Sequence, residues 1–172
     1  DLNLVNGIVF KSNGKYITTK PQTYVENLDS LDFPLTNAPK VLKDFEKYPK
    51  EAFGYIFASR GCPYACTFCE SKSMWTRKVR YRSAENVVDE LKQLYKFGVR
   101  KVNFDDDTFG VSKKNIKSLN DLMHKELPNM TYTCETVVQL AKDENVVKDM
   151  KRGGCTATFV GIESGNNEML KK

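Results

Sequence analysis

The sequence is poor in the residues that make a conventional metal site or a secreted scaffold. Its 172 residues include one histidine, one tryptophan, six prolines and five cysteines. Five is an odd number, so complete disulfide pairing is excluded, and one histidine offers little help toward a four-ligand zinc site. No apolar run approaches the ~20 residues that a membrane helix needs. The first residues, "DLNLVNGIVF", show neither a basic region nor a long apolar core, so no signal peptide is visible. They also lack an initiator methionine, and the chain reads as a fragment or a processed product. Strong charge imbalance is missing too: the net charge is +5, with the signs mixed along most of the chain. The exception runs from Lys72 to Arg82 and carries Arg77, Lys78, Arg80 and Arg82. That run is either a solvated face or a contact surface for an acidic substrate or partner. With 40% hydrophobic and 28% charged residues, the remainder is that of an ordinary globular domain. Without a secretion signal, a reducing compartment is favoured, and the expected location is cytoplasmic.

What is present is regular punctuation. Residues 8–18, "IVFKSNGKYIT", predict a hairpin, because Asn13-Gly14 suits a tight turn between two β-rich arms. From Pro21 to Pro49 no period is sustained, and the expectation is an extended linker. Residues 1–50 thus read as an N-terminal hairpin and linker, and 51–172 as a second unit. That unit begins with an apolar run, "AFGYIFAS", a buried-strand candidate. Ser83 is a helix N-cap with Glu85 in the first turn; Val87, Val88, Leu91, Leu94 and Tyr95 keep helical spacing, and Gly98 ends the helix. "KVNFDDD", "TYTCE" and "TATFVGIE" are further strands, with helices expected over about 112–125 and from about Asp143 to Gly153-Gly154. Strand–helix alternation at this interval predicts an α/β fold with a parallel sheet. In such folds ligands gather at the carboxyl ends of the strands.

One loop at such an end holds three of the five cysteines. Cys62, Cys66 and Cys69 lie in "SRGCPYACTFCES" with the spacing C-x3-C-x2-C. Structural zinc wants four closed ligands, and only Cys134, Cys155 and His124 remain to supply a fourth. Three thiolates on a four-iron cubane leave one iron without a protein ligand, open to a substrate or cofactor.

This spacing after a first strand, with the aromatic Phe68 before the third cysteine, resembles the radical S-adenosylmethionine superfamily. "YRSAENVVDEL", "FDDDTF", "CETVVQL" and "FVGIESGN" are similar to segments of its cobalamin-binding branch. The N-terminal "GIVFKSNGKYITTKPQTYVENLDSLDFP" resembles the linker that joins an upstream cobalamin domain to the barrel in that branch. The resemblance implies a partial (β/α) TIM-like barrel truncated to about four βα units. It implies a [4Fe-4S] cluster on Cys62, Cys66 and Cys69, with S-adenosylmethionine on the open iron. The implied reaction is reductive cleavage to methionine and a 5′-deoxyadenosyl radical, fed by an electron donor. Cobalamin would be held by an upstream domain absent here. Methyl transfer, ring formation and rearrangement all occur in the branch.

Strand alternation assigns the remaining site candidates. Val102 and Phe104 share one face, and Asn103, Asp105 and Asp107 the other; Tyr132 and Cys134 oppose Thr133 and Glu135; Val160 and Ile162 oppose Gly161 and Glu163. With the apolar faces on helices, Asp105, Glu135 and Glu163 converge at the mouth. Carboxylates are suitable acceptors for an ammonium group and ribose hydroxyls, and the resemblance implies that these three contact S-adenosylmethionine. Phe68 would pack near the adenine. Against these readings stand a solvated strand exit for the Asp run, a helix N-cap for Glu163 and plain core packing for Phe68. Two other functions stay open: a tRNA-modifying radical enzyme, motivated by the basic run, and a non-enzymatic iron–sulfur or zinc module. A small-molecule substrate is favoured over nucleic acid, and the unpaired last strand of a partial barrel predicts self-association.

Overall fold

The computed structural model describes residues 1–170. β1 (Val9–Ser12) and β2 (Lys15–Thr18) form the antiparallel hairpin, and Asn13 and Gly14 both take positive φ, +49° and +79°, as a tight primed turn requires. The following segment is not simply extended: α1 (Pro34–Val41) interrupts it. Pro34 occupies the first helical turn, where its missing N–H is no loss, and Ala38 is buried while Leu35 packs on the core. Docking, rather than propensity, makes this helix.

The run 52–59 was expected to be one strand and is divided instead. β3 (Tyr55–Ile56) runs parallel to the later strand at Lys101–Phe104, but β4 (Ser59–Arg60) turns away. After α2 (Ser71–Trp75), β5 (Arg80–Tyr81) returns antiparallel to β4. α3 (Ala84–Phe97) follows, with the Ser83 hydroxyl accepting from the Asn86 N–H and Gly98 closing the helix at φ +113°. β6 (Lys101–Phe104), α4 (Lys113–Glu126), β7 (Thr131–Val137), the short α5 (Val138–Ala141), α6 (Glu144–Arg152), β8 (Cys155–Gly161) and α7 (Asn167–Leu170) complete the chain. The main sheet has the order β3-β6-β7-β8, all parallel. Four strands in sequential order with α3, α4 and α6 between them are the start of a barrel wall.

The core lies on the helical side. Val87, Val88, Leu91 and Leu94 of α3, Ile116, Leu119 and Met123 of α4, and Val146 and Met150 of α6 cover Ile56, Val102, Phe104, Tyr132 and Cys134. Phe104 meets Phe109 at 4.7 Å and Tyr132 at 5.1 Å between ring centroids. The Tyr132 hydroxyl donates to Asn120 Oδ1 (2.8 Å), and Asn120 Nδ2 donates to the Ile116 carbonyl (2.8 Å), so the polar atoms of these two core side chains are paired. Burial pushes the Tyr132 hydroxyl far above its ordinary pKa. The opposite face is open, with Tyr55 and Phe159 each 62% exposed. Ile162, expected to pack toward helices, is also exposed, because it lies beyond the end of β8 at Gly161, where the ladder no longer fixes its face. Among the described residues, no helix is long and apolar enough to cross a membrane.

Candidate functional site

The cysteine loop leaves β4 at the carboxyl end of β3 and ends at α2. Gly61 starts it at φ +102°, where a β-carbon would lie 2.7 Å from the Lys78 carbonyl; glycine is required there by both conformation and space. All five thiols are free. Cys62 and Cys69 are half-buried and Cys66 is exposed, with a Cys69 N–H to Cys66 carbonyl bond (3.2 Å) closing the turn between the last two. Among the described residues, no group of three or more His, Cys, Asp or Glu is gathered as a metal centre. The three cysteines therefore share a loop without sharing a point. Their chemistry nevertheless fits iron: three soft, unpaired donors within eight residues, with no histidine beside them.

The residues that sequence reasoning offered for a zinc alternative lie elsewhere. His124 is exposed on α4, Cys134 is buried in β7, and Cys155 begins β8. The Cys134 thiol donates to Thr158 Oγ1 (3.6 Å) and the Cys155 thiol to the Ala157 carbonyl (3.5 Å). The neighbouring Cys155 thiol and burial raise the Cys134 thiol well above its ordinary range, while the influence of Cys134 lowers Cys155.

The segment after β6 holds the loop in place. Alternation persists beyond the strand, so Asp106 and Thr108 are buried while Asp105 and Asp107 are exposed. Asp106 accepts from the Ala58 N–H (2.8 Å) and the Ser59 hydroxyl (2.5 Å). Burial pushes its carboxyl up to about 6, against the lowering effect of these bonds and of the Arg60 charge. Asp107 accepts from the Gly61 N–H through Oδ2 (2.9 Å) and from the Ser71 hydroxyl through Oδ1 (3.0 Å). Thr108 gives its proton to the Asp107 carbonyl (2.7 Å), which leaves the Cys62 thiol to donate to Thr108 Oγ1 (3.3 Å). β3 and β6 are sheet neighbours, and this is why the exit of one can hold the exit of the other. Alternation put Asp107 on the open face with Asp105, but nothing in the sequence linked Asp106, Asp107 or Thr108 to the cysteine loop.

The four predicted cofactor contacts are placed as follows. Asp105 and Glu135 each stand one residue beyond the paired Phe104 and Cys134, level with one another on adjacent strands. They share the open face on which the Thr133 hydroxyl donates to Asn103 Oδ1 (2.8 Å) and Asn103 Nδ2 donates to Asp105 Oδ1 (2.9 Å). Glu135 is paired in register with Phe159 of β8. Glu163 lies two residues past the end of β8, higher on the rim than the other two. Its φ of +63° is uncommon for a side chain with a β-carbon, and its carboxylate folds back over Gly161, leaving no room for a β-carbon there. Neither Glu135 nor Glu163 has an ion-pair partner among the described residues. Phe68 is 68% exposed on the cysteine loop, so core packing does not account for it.

The basic run divides: Lys72, Arg77 and Lys78 are exposed, while Arg80 and Arg82 turn inward. Arg80 is buried, donating to the Val25 carbonyl (2.7 Å), and the half-buried Arg82 pairs with the buried Glu90 at 2.5 Å. Arg82 also donates to the Phe57 carbonyl (2.8 Å) and to Asn86 Oδ1 (2.7 Å). Lys78 pairs with Glu26 of the N-terminal segment. These residues tie the chain after the cysteine loop to the sheet and to residues 24–26.

Comparison with known proteins matches this arrangement. The model of the radical SAM superfamily matches residues 56–172. An uncharacterized methyltransferase of Pyrococcus horikoshii is 32% identical over 99% of this chain and 37% of its own length. The hopanoid C-2 methylase of Rhodopseudomonas palustris is 30% identical over 88% of this chain and 29% of its own. The chain thus spans about a third of the length of the curated relatives it matches. In fold it is similar to the cobalamin-dependent S-adenosylmethionine radical enzyme OxsB, with a TM-score of 0.77 at 20% identity over 99% of this chain and 26% of that one. From the cysteine loop, the parallel wall behind it and the matched family model, the chain belongs to the radical SAM superfamily.

Proposed function

We propose that this chain is the cluster-bearing part of a radical S-adenosylmethionine enzyme that acts on a small molecule, by methyl transfer or related carbon-centred bond formation. The observation that carries this reading is the three-cysteine loop, held by Asp107 at the carboxyl rim of a parallel sheet. Cys62, Cys66 and Cys69 would hold a [4Fe-4S] cluster; bound there with S-adenosylmethionine, it supplies one-electron cleavage of the sulfonium to a 5′-deoxyadenosyl radical. Asp105 and Glu135, level on adjacent strands, are placed to accept from an ammonium group or a ribose diol. Glu163, on the rim above them, offers a third carboxylate, and the exposed Phe68 ring an apolar surface for a purine. Relatives named as methyltransferases and methylases support the methyl-transfer reading, and the cobalamin-bound OxsB structure supports cobalamin in a part of the enzyme outside this chain. An external electron donor is part of the proposal. The inward-facing Arg80 and Arg82 weigh against a nucleic-acid surface.

The test is anaerobic reconstitution of the intact protein with iron and sulfide. About four irons and four sulfides per chain are expected, with a reduced-state electron paramagnetic resonance signal that changes on adding S-adenosylmethionine. Loss of the cluster on Cys62→Ala, Cys66→Ala or Cys69→Ala, with retention on Cys134→Ala, is required. One zinc and no labile sulfide would overturn the proposal.

A further inference from the structure

We infer that Asp107 is the positioning residue of the cysteine loop: one carboxylate that fixes both ends of the ligand segment and so sets the spacing of its thiols. The inference rests on the proposed cluster site and deepens it. Two observations carry it. First, the two oxygens of Asp107 are divided between the loop's ends. Oδ2 takes the N–H of Gly61, the residue immediately before Cys62, and Oδ1 takes the hydroxyl of Ser71, two residues after Cys69. All three cysteines lie between these anchors. Second, the residue after Asp107 touches a ligand directly, through the 3.3 Å contact of Thr108 Oγ1 with the Cys62 sulfur.

The rest of the acidic run does different work. Asp105 bonds to Asn103 on its own strand, and Asp106 holds Ala58 and Ser59 before the loop begins. Only Asp107 spans the loop. A segment closed at its base loses conformational freedom before any metal arrives, which lowers the ordering cost of bringing three sulfurs to one cluster. Hydrogen-bonded residues behind metal ligands act in this way generally, and their loss typically weakens binding by about 10–100-fold. Asparagine should preserve the bridge, since its oxygen can accept from Gly61 and its amide can donate to the Ser71 hydroxyl.

The experiment compares wild type, Asp107→Ala, Asp107→Asn, Ser71→Ala and Cys62→Ala in the intact protein after anaerobic reconstitution. Iron and labile sulfide per chain, the rate of iron loss to a ferrous chelator, and the line shape of the reduced cluster's paramagnetic signal are read. Asp107→Ala should lose iron about tenfold faster or more and broaden the signal. Asp107→Asn should restore both toward wild type, and Ser71→Ala, which cuts one anchor, should fall between. If Asp107→Ala holds its cluster as wild type does, the inference is wrong. If Asp107→Asn is as defective as Asp107→Ala, charge rather than the bridge matters, and the inference is equally overturned. Should Asp107→Ala not fold, Ser71→Ala on the exposed loop end decides the matter by the same readings. A wild-type protein that takes up no cluster removes the underlying function reading, a result distinct from either.

Discussion

On the helical side of the sheet, Val102, Phe104, Tyr132 and Cys134 are buried among α3, α4 and α6. One residue away on the same strands, Asn103, Asp105, Thr133 and Glu135 face the open side. The first set is apolar and closely packed, and its polar atoms are paired. The second is polar, shallowly bonded and holds carboxylates without ion partners among the described residues. Alternation divides a strand into two chemistries, but only covering one side with helices makes one a core and the other a site. Function has to use the side where charge is cheap to keep. The cysteine loop sits on the rim between the two. Asp106, on the buried side, holds Ala58 and Ser59 just before it, and Asp107, on the exposed side, holds the loop itself.

The sharpest break of this contrast is on the covered side. Arg82→Ala leaves Glu90, whose side chain is only 4% exposed, as an uncompensated buried charge. A destabilisation of about 3–5 kcal/mol is expected by urea unfolding. A loss below about 1 kcal/mol, the range of surface pairs, would show that the pair is solvated. The next effect concerns Asp106, where folding raises the carboxyl from 3.8 to about 6. A raised folded-state value means that the proton is bound more tightly in the folded chain. The resulting stabilisation is therefore complete below about pH 4 and is lost as pH rises through about 6, a span of about 3 kcal/mol. Unfolding midpoints measured across that window should fall more steeply for wild type than for Asp106→Asn, and parallel slopes would refute the assignment. Smaller again is Gly153→Ala. A β-carbon there would collide with the Asn120 side chain and disturb its bond to Tyr132, for a cost of about 1–3 kcal/mol. Thermal unfolding unchanged from wild type would mean that Asn120 moves freely. On the open side, Glu135→Gln and Glu163→Gln should alter stability by less than about 0.5 kcal/mol. Calorimetric titration should nonetheless show weaker binding of S-adenosylmethionine to the reconstituted protein. Unchanged binding in both variants would remove these carboxylates from the proposed site.

Much of this contrast was legible in the chain. The α3 helix follows the Ser83 cap, the apolar spacing and Gly98 closely, and the three later strands lie where alternation put them. The run 52–59 misled, because an apolar segment does not say which ladder it joins, and here it serves two. The Pro-rich segment hid α1 because that helix depends on docking Leu35 and Ala38. Lys78, Arg80 and Arg82 read as a basic surface because sequence shows charge without its partners. Glu26, the Val25 carbonyl and Glu90 lie 52, 55 and 8 residues away.

By itself, the sequence determined the order of the later strands and helices, the burial side of β6 and β7 and the presence of three cysteines suited to a cluster. These follow from local spacing, which a residue's immediate neighbours define. Tertiary structure alone decided that Asp106 holds the strand before the cysteine loop and Asp107 the loop itself, that Arg80 and Arg82 turn inward and that Asp105 and Glu135 stand level. The first and last depend on which strands lie side by side, and the turn of the arginines on partners outside the basic run, the Val25 carbonyl and Glu90. In a parallel sheet, neighbours are joined through a helical crossover of a dozen or more residues, a distance that no local pattern spans.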